Sequence, residues 1–345
     1  MLDDDNVLQQ RDSGGTLQIA EHQYEQAKYE FTVQPGSSNN QPINRVIIAG
    51  MGGSVLAPLL IKTWLEQDSQ VPIEIVNGYI LPGYVDSSTL VIVDSHSGNT
   101  EETVNILQTA IEKSAQTAVT TTGGKALEIA KANQLCYVEL PFDSAARLAF
   151  IFDFKALVSL LIHFNIIPQA KLDEVTDTAT WLGEESASWQ ASSTVDKNYA
   201  KQLALLAEGK AAIFYAGHLS APVAYKWKIS WNETAKNIAF KSEYPEFNHN
   251  EIMSWLSHPI EKPFAIFDIV SSLEHPQILK RFEISDRLLS GYRPKTITIN
   301  LKGDTLLKQL FWGGILADFS SIYLAILNGV NPNNTDLIEK LKQQL

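Results

Sequence analysis

Short apolar runs alternate with amphipathic stretches along most of the chain, and the period of each stretch predicts its secondary structure. In the N-terminal half, the apolar runs predict β-strands at 45–48, 72–76, 90–93, 117–121 and 135–139. Stretches with helical periodicity lie between several of these runs, at 54–66, 100–113 and 126–133. Strands that alternate with helices in this way indicate βαβ units, in which a parallel sheet carries helices on both faces.

The same alternation returns in the C-terminal half, after a helical stretch without strand signals at 151–190. The C-terminal pattern predicts strands at 211–215, 263–270 and 296–300, helices at 221–233 and 276–291, and a long helical region from residue 304 with a turn at 328–334. The predicted fold class is therefore α/β, with two doubly wound parallel-sheet domains, a helical connection and a C-terminal helix. Ligands of such sheets bind at the carboxyl ends of the strands.

The predicted domain organisation follows from these patterns. The expected boundaries give an N-terminal helical extension at 1–40, a first domain at 41–155, the connection at 156–200, a second domain at 201–325 and the C-terminal helix at 326–345. Two domains also suit a length of 345 residues.

Composition and charge narrow the class of protein. The chain is 45% hydrophobic and 19% charged, which is typical of a globular protein. Lys and Arg number 27 against 39 Asp and Glu, so the formal net charge is −12. An acidic chain without a basic block argues against nucleic-acid binding, because cationic contacts to phosphates supply most of that affinity.

The two most apolar stretches, 149–168 and 311–330, each contain charged side chains such as Asp153 and Asp318. A membrane span needs about 20 residues nearly free of charge, so both are predicted to be buried helices and no membrane partner is expected. The N-terminus is acidic and lacks the basic start and apolar run of a signal peptide. Cys136 is the only cysteine, which excludes an intrachain disulfide and indicates a buried apolar residue. A cytoplasmic protein is expected.

The first candidate ligand loop is GMGGS at 50–54, directly after the predicted strand 45–48. Glycines let the backbone approach a ligand closely, and the helix that follows directs free N–H groups at an anion. The dinucleotide pattern G-x-G-x-x-G would need glycine where the chain has Val55, so a nucleotide is only weakly indicated. A tight turn capped by Ser54 is the structural alternative.

The second candidate loop is SHSGNTEE at 95–102, directly after the predicted strand 90–93. A capping box that uses Thr100 with Thr103, or Asn99 with Glu102, is the structural alternative, but a cap needs one hydroxyl and this loop has three. Two such loops from neighbouring strands would converge on one phosphate group. They would hold it with hydroxyls, backbone N–H groups and helix dipoles rather than with Lys or Arg, which indicates a small phosphorylated metabolite.

Several motifs in a fixed order extend this interpretation. The run SHSGNTEET resembles the S-x-S-G-x-T signature of SIS (sugar isomerase) domains. With it occur, in order, GMGGS at 50–54, TTGGK at 121–125, WNETAK at 231–236, PEFNHNE at 245–251 and I-x-x-L-K at 338–342. The whole set resembles the bifunctional phosphoglucose/phosphomannose isomerase family of archaea and bacteria, over residues 10–345.

The resemblance implies cofactor-independent interconversion of glucose 6-phosphate and mannose 6-phosphate with fructose 6-phosphate through a cis-enediol. It also implies a phosphate site at the two loops. The residues expected to hold the substrate phosphate are Gly52, Gly53, Ser54, Ser95, Ser97 and Thr100.

The resemblance further implies catalytic roles. Glu233 matches the base that moves the proton between carbons 1 and 2, and Arg147 matches an arginine near the reacting carbons. His249 matches a ring-opening histidine that the second subunit of a homodimer supplies. Lys342 matches a C-terminal lysine that assists ring opening, and Thr335 aligns with a threonine linked to use of the mannose epimer.

Three positions depart from the family pattern without removing a catalytic group. His96 stands where family members usually carry Tyr, Ala146 where Pro is usual, and Lys226 where Arg is common. These three differences are expected to affect substrate specificity more than the class of reaction.

The residue types suit the chemistry independently of the resemblance. A carboxylate such as Glu233, set among apolar neighbours, can transfer a proton, and Arg147 offers a fixed positive charge for an enediolate. Without the motifs, Glu233 would be an ordinary solvated helix glutamate and His249 an ordinary loop histidine. His249 and Glu251 make only a pair, with no third ligand at helical spacing, so neither a metal nor another cofactor is expected.

Alternatives of other classes stay open from the sequence. A non-catalytic SIS-type regulator would bind a sugar phosphate without converting it. An amino-sugar synthase half would belong with a glutaminase that uses an N-terminal cysteine, whereas this chain begins Met-Leu-Asp. Tryptophans near the motifs are typical of interface cores and favour a dimer, although they are at least as common in ordinary cores. These are Trp227, Trp231, Trp255 and Trp312.

Overall fold

The chain divides into two compact units, each built on one parallel sheet. The computed structural model describes residues 1–37, 41–141 and 145–344. The five-stranded unit comprises residues 23–181, and the four-stranded unit comprises residues 1–22 together with the chain from residue 182 onward. The predicted α/β class with two doubly wound parallel sheets is confirmed.

The elements are numbered in chain order. The strands are β1 (Arg45–Ala49), β2 (Ile73–Val76), β3 (Thr89–Asp94), β4 (Gln116–Thr121), β5 (Cys136–Glu139), β6 (Ala211–Ala216), β7 (Ala239–Glu243), β8 (Phe264–Val270) and β9 (Ile297–Asn300). The helices are α1 (Asp5–Arg11), α2 (Thr16–Glu21), α3 (Leu56–Leu65), α4 (Glu101–Glu112), α5 (Gly124–Ala132), α6 (Phe150–His163), α7 (Ala170–Ser186), α8 (Tyr199–Ala207), α9 (Ala221–Glu233), α10 (Pro276–Leu288), α11 (Leu306–Asn328) and α12 (Asp336–Lys342).

The five-stranded unit carries its strands in the order β2-β1-β3-β4-β5, with every neighbour parallel. All residues of β3 and β4 are buried, as expected for central parallel strands whose two faces are covered by helices. One face packs Val91 and Val93 against Ile106 and Leu107 of α4. Helix α6 contacts β3, β4 and β5.

The four-stranded unit has the order β7-β6-β8-β9, again with parallel neighbours. An aromatic cluster fills its core: Trp227 stacks on Trp231 with ring centroids 4.9 Å apart, and Phe214 stacks on Phe267 at 5.3 Å. Trp255 and Trp312 are also buried within the chain. These four tryptophans are therefore core residues of a single copy, and the suggestion that they favour a dimer is wrong.

Helix α11 accounts for the second apolar stretch. By length and composition it would cross a membrane, but 94% of its apolar window is buried inside the structure, which makes it a core helix. Its Asp318 accepts hydrogen bonds from Lys226 Nζ at 2.5 Å and from Ser230 Oγ at 3.1 Å, both on α9. Lys226, one of the departures from the family pattern, thus forms a buried ion pair between two helices.

The structure adds detail that the sequence pattern did not predict. Strand β7 was missed because its sequence, AFKSE, is mixed in polarity, and Phe240 lies exposed on this edge strand. Helices α1 and α2 belong to the four-stranded unit, where Arg11 Nη1 donates to Ile326 O at 2.6 Å. The division between units falls inside α7, within the predicted connection 156–200, and the predicted boundary at residue 40 lies outside the described residues.

Candidate active site

Three loops meet at the carboxyl ends of β1, β3 and β4. Gly98 shows how closely two of them approach: its φ is +66°, and a Cβ on it would lie 1.8 Å from Gly123 O. Ala126 N donates to Gly98 O at 2.9 Å, which joins the second loop to the start of α5. The loop 121–125, which the sequence offered only as part of a motif, therefore supports the candidate phosphate loop.

The first loop forms a 3-10 turn, Gly52–Val55, and α3 begins only at Leu56. Ser54 does not cap this helix by its side chain. Its Oγ instead accepts a hydrogen bond from His96 N at 3.1 Å, which ties the first loop to the second. Gly52 has φ +56°, the left-handed region that favours glycine.

The second loop presents hydroxyl groups at the start of α4. Ser95 is buried, and among the described residues its Oγ has no hydrogen-bond partner. Thr100 occupies the N-cap position of α4 without a side-chain capping bond, so the capping box does not form. Thr103 Oγ1 donates to Thr100 O instead, at 2.9 Å. Ser97 is exposed, and its Oγ accepts from Asn99 N at 3.3 Å.

This arrangement suits an anion. A buried hydroxyl without a partner is costly unless a ligand or water completes it, and the N-terminus of α4 adds free N–H groups and the positive end of a helix dipole. The predicted phosphate-binding residues therefore lie together at one edge of the five-stranded sheet. They are Gly52, Gly53, Ser54, Ser95, Ser97 and Thr100.

Arg147 lies beside the first loop. It is 4% exposed, on the 3-10 turn Ala146–Leu148, and a Cβ on Gly53 would lie 3.1 Å from Arg147 N. The absence of a side chain at Gly53 thus allows the arginine-bearing turn to approach the loop. Ala146, another departure from the family pattern, packs against the same glycine, with its Cβ 3.2 Å from that position.

The matching edge of the four-stranded sheet holds a carboxylate of the chain itself. Glu274 Oε1 accepts from Ser220 N at 3.0 Å and from Ser220 Oγ at 3.2 Å, at the start of α9. A Cβ on Gly217 would lie 2.4 Å from this carboxylate. The anion position at this helix start is therefore filled, whereas the corresponding loop of the other sheet keeps a hydroxyl without a partner among the described residues.

Glu233 is the last residue of α9 and is half-buried. Its neighbours Trp231 and Ala235 are fully buried, which agrees with the apolar setting predicted for this carboxylate. Burial and the negative charge of Glu233 both raise the pKa of Tyr225 on the same helix, burial contributing most. Glu233 therefore stands at a boundary between core and solvent.

His249 is exposed at the end of the 3-10 turn Glu246–His249, on a segment that neighbouring side chains fix. Asn248 Nδ2 donates to Ser285 Oγ at 2.8 Å, and Asn248 Oδ1 accepts from Arg281 Nη1 at 3.0 Å. Both partners lie on α10. The position of the histidine is thus set by its neighbour rather than by its own side chain.

A second tether holds the other end of this segment. Tyr215 OH donates to Glu251 Oε1 at 2.8 Å and accepts from Trp255 Nε1 at 3.2 Å. Burial raises the pKa of Tyr215, and the charge of Glu251 adds to the effect. Glu251, considered with His249 as a metal pair, is thus engaged in holding the segment to β6. Within the described ranges, no cluster of three or more His, Cys, Asp or Glu side chains could hold a metal ion.

Lys342 and Thr335 lie at the two ends of α12. Lys342 Nζ is 3.0 Å from Glu339 Oε1, and both side chains are about half exposed, at 52% and 57%. Thr335 precedes α12 and makes no side-chain capping bond. Like Glu233 and His249, both belong to the four-stranded unit, whereas Arg147 and the phosphate loops belong to the five-stranded unit.

Sequence reasoning missed a buried cluster beneath the second loop. Asp94 ends β3, Asp153 lies in the first turn of α6, and His96 Nδ1 is 3.6 Å from Asp153 Oδ1. The charged Asp153 within an apolar stretch is the one local signal of this cluster. Its neighbours on the sheet could not be read from the local pattern.

Two doubly wound sheets with a hydroxyl-rich loop at one strand edge define the chain as a protein with sugar isomerase (SIS) domains. Residues 196–345 match the family model described as the bacterial phospho-glucose isomerase C-terminal SIS domain. A glucose-6-phosphate isomerase like protein from Thermus thermophilus has the same fold, with a TM-score of 0.66 at 16% identity over 100% of this chain and 99% of that one.

Two relatives of known name indicate the family within the SIS-domain proteins. The chain is 31% identical over 312 residues to a bifunctional phosphoglucose/phosphomannose isomerase of Caldicellulosiruptor bescii, covering 88% of this chain and 90% of the relative. It is 32% identical over 228 residues to a D-glucosamine-6-phosphate 4-epimerase of Sulfolobus acidocaldarius, covering 65% and 68%. The chain belongs to the bifunctional phosphoglucose/phosphomannose isomerase family, as its motifs predicted.

Proposed function

We propose that this chain is an aldose–ketose isomerase that interconverts glucose 6-phosphate and mannose 6-phosphate with fructose 6-phosphate. Its membership of the family favours this reaction. The observation that carries the proposal is the second loop, where the buried Ser95 hydroxyl has no partner among the described residues and Thr100 leaves α4 without a side-chain cap. Such a site is suited to the phosphate group of a small sugar.

The reaction needs few groups and no cofactor. His249 and Lys342 would move protons to the ring oxygen and from the anomeric hydroxyl, which opens the ring. In the direction from aldose to ketose, Glu233 would then take a proton from carbon 2 and return it to carbon 1, with a cis-enediol between the two steps. In the direction from ketose to aldose, it would take the proton from carbon 1 and return it to carbon 2. General acid–base help of this kind is typically worth about 10²–10⁴-fold. Arg147 would stabilise the negative charge of the enediolate.

A homodimer is part of the proposal. His249 is exposed, yet two tethers fix the segment that carries it. An exposed side chain on a fixed segment is suited to contribute to the active site of a second copy. With Cys136 as the only cysteine and a formal net charge of −12, we also propose a cytoplasmic location.

The test is a coupled assay on the purified, metal-free chain with fructose 6-phosphate, in which glucose 6-phosphate and mannose 6-phosphate are read out separately. Turnover to both products, unchanged by a chelator, is expected. Binding of the sugar phosphate without turnover would contradict the proposal and favour the SIS-type regulator. Glucosamine 6-phosphate serves as a comparison substrate because of the 4-epimerase relative, and epimerisation of it without isomerisation of fructose 6-phosphate would also contradict the proposal.

A further inference from the structure

Three titratable side chains lie buried beneath the second loop, and we call them the Asp94–His96–Asp153 cluster. Asp94 and Asp153 are fully buried, and His96 is 8% exposed. The imidazole Nδ1 of His96 lies 3.6 Å from Asp153 Oδ1, within the range of an ion pair. Two carboxyl groups and one imidazole thus share a space that the sequence alone did not indicate.

Electrostatics make His96 the natural counter-ion of this space. Burial raises the pKa of Asp153, and the adjacent imidazole opposes that shift. Burial, and then the charge of Asp153, raise the pKa of Asp94 well above its usual range, although Thr120 Oγ1 donates to Asp94 Oδ1 at 2.8 Å. Among the described residues, neither carboxyl oxygen of Asp153 has a hydrogen-bond partner. A buried carboxylate in this state strongly favours a nearby cation.

The other buried cation of α6 is engaged elsewhere. Lys155 Nζ donates to Ala27 O at 2.6 Å and to Thr176 Oγ1 at 2.9 Å. Since Lys155 follows Asp153 by two residues, the two side chains project from different faces of the helix. Lys155 is therefore not the counter-ion of the cluster.

The backbone of His96 connects the cluster to the ligand loops. His96 N donates to Ser54 Oγ at 3.1 Å, and His96 O accepts from Thr122 N at 3.0 Å and from Thr122 Oγ1 at 2.7 Å. Ser95 and Ser97 are its chain neighbours. The residue whose imidazole lies beside Asp153 is therefore bonded through its backbone to the Ser54 hydroxyl of the first loop and to Thr122, and it lies between Ser95 and Ser97 of the second loop.

We propose that His96 is the positioning residue of the phosphate-binding loops, and that its imidazolium, paired with Asp153, adds positive charge beneath a site otherwise made of hydroxyl and N–H groups. The inference rests on the proposed phosphate site. A histidine at this position would favour a dianion, and would favour it more strongly at lower pH because the imidazole is then protonated.

Other charged groups near the loops must be separated from His96 in any pH experiment. They are Asp94 and Asp153 within the cluster, Arg147 on the adjacent turn, Glu101 and Glu102 at the start of α4, and Lys125 at the start of α5. Phosphate itself titrates near neutral pH, with a second pKa of about 6 for a phosphate ester. Sulfate avoids this difficulty because it stays a dianion throughout.

The test measures direct binding of sulfate and of inorganic phosphate to the full chain by calorimetry, from about pH 5.5 to about pH 8.5. Sulfate is expected to bind about tenfold more weakly at the upper end, which is the effect of losing one nearby charge. His96→Asn keeps a neutral donor near the position of Nδ1. It is expected to give a flat profile at the weak, high-pH affinity.

Asp153→Asn supplies an independent readout, because the protonated imidazole of His96 loses its neighbouring negative charge. The midpoint of the sulfate profile is then expected to move to lower pH. His163→Asn, an exposed histidine in the same unit, serves as the matched control and should leave the profile unchanged. Thermal unfolding checks that each variant is folded. If His96→Asn does not fold, the midpoint of the sulfate profile of Asp153→Asn tests the proposal by itself.

A flat wild-type profile, an unchanged slope in His96→Asn, or an unshifted midpoint in Asp153→Asn would overturn the proposal. Turnover of fructose 6-phosphate by the wild-type chain is measured in the same preparation. Turnover together with a flat sulfate profile would reject only the role of His96. A pH-dependent sulfate profile without turnover would reject only the isomerase reaction.

Discussion

Two glycines shape the candidate phosphate site, because a side chain at Gly98 would collide with backbone and one at Gly53 would make a tight backbone contact. Gly98 lies in the left-handed region and faces Gly123 O, and Gly53 faces the backbone of Arg147. Neither contact involves a flexible side chain that could move aside.

Replacing Gly98 with alanine should displace the second loop, since the new methyl group would lie 1.8 Å from Gly123 O at a φ of +66°. We expect KM for fructose 6-phosphate to rise at least about tenfold, because misplacement by about 1 Å can cost far more than that. Gly78→Ala is the matched control, as a Cβ there meets nothing within 4 Å. Steady-state kinetics on both variants makes the comparison, and an unchanged KM in Gly98→Ala would contradict the loop geometry.

Asp268 provides a prediction about pH and stability. Burial raises its pKa to about 7 from the ordinary 3.8, with Arg293 opposing and Asp286 adding to the shift. Between these values the folded chain binds more protons than the unfolded chain, so the free energy of unfolding falls as pH rises through this window. The destabilisation is fully present above about pH 7.

Asp268→Asn should remove that fall, because the amide carries no charge at any pH. The difference in free energy of unfolding between Asp268→Asn and wild type is expected to change by about 1–3 kcal/mol in favour of the variant as the pH rises from about 5 to about 8. Urea denaturation at both pH values provides the measurement. A difference that stays constant with pH would mean that Asp268 titrates no differently in the folded and unfolded chains.

The residues of the two candidate loops could be predicted from sequence because each loop is continuous and directly follows an apolar strand. Asp153 could not be placed in the same way. It joins His96 only because α6 packs back on the sheet, and no local pattern encodes which side chain of a buried helix meets which loop. The same limit applies to the tether between Asn248 and α10.

At the scale of elements, α9 and α11 share one buried ion pair. Lys226 and Asp318 are at most 1% exposed, and Ser230 also donates to the carboxylate. Lys226 lies about two turns before Glu233 on α9, so the pair helps to fix the helix that carries the proposed base. Periodicity predicted both helices but gave no indication of the pairing between them.

Lys226→Met should destabilise the fold by about 3–5 kcal/mol, because it leaves a carboxylate buried without its cation. The double variant Lys226→Met/Asp318→Asn should recover part of this loss, since no buried charge then remains at this position. Lys241→Met, at the partly exposed pair with Glu243, is the contrast and should cost less than about 1 kcal/mol. Denaturant unfolding measures the free energy of unfolding of all three variants. Equal losses in Lys226→Met and Lys241→Met would contradict the importance of burial.

Strand β7 illustrates where sequence patterning fails at this scale. As an edge strand it exposes one side, and its mixed sequence carries neither the alternation nor the apolar run of the central strands. The central strands β1, β3 and β4 were predicted within one or two residues because they are buried on both faces.

At the scale of the whole molecule, the two sheets have different roles. The edge of the first sheet carries the hydroxyls of the candidate phosphate loops, whereas the edge of the second is filled by Glu274. One architecture used twice therefore provides one candidate phosphate site among the described residues. The second unit supplies the proposed proton-transfer groups Glu233, His249 and Lys342.

The proposed homodimer can be tested by mixing two inactive variants. If each active site takes Glu233 from one subunit and His249 from the other, a mixed dimer of Glu233→Gln and His249→Asn contains one intact site and one site with both changes. After subunit exchange at equal amounts, about a quarter of the wild-type activity should return. No recovery, with exchange shown by mass labelling, would place both residues of a site in one subunit.

Isomerisation of fructose 6-phosphate in deuterium oxide shows whether Glu233 moves a proton between carbons 1 and 2. Proton NMR should show deuterium at carbon 2 of the aldose products of the wild-type chain. Glu233→Gln should lower the rate of this exchange by about 10²-fold or more, whereas Glu208→Gln, an exposed glutamate just after α8, should not. The amount of deuterium reports how far the proton on Glu233 exchanges with solvent before it is returned. Unchanged turnover and unchanged exchange in Glu233→Gln would contradict the assignment of this base.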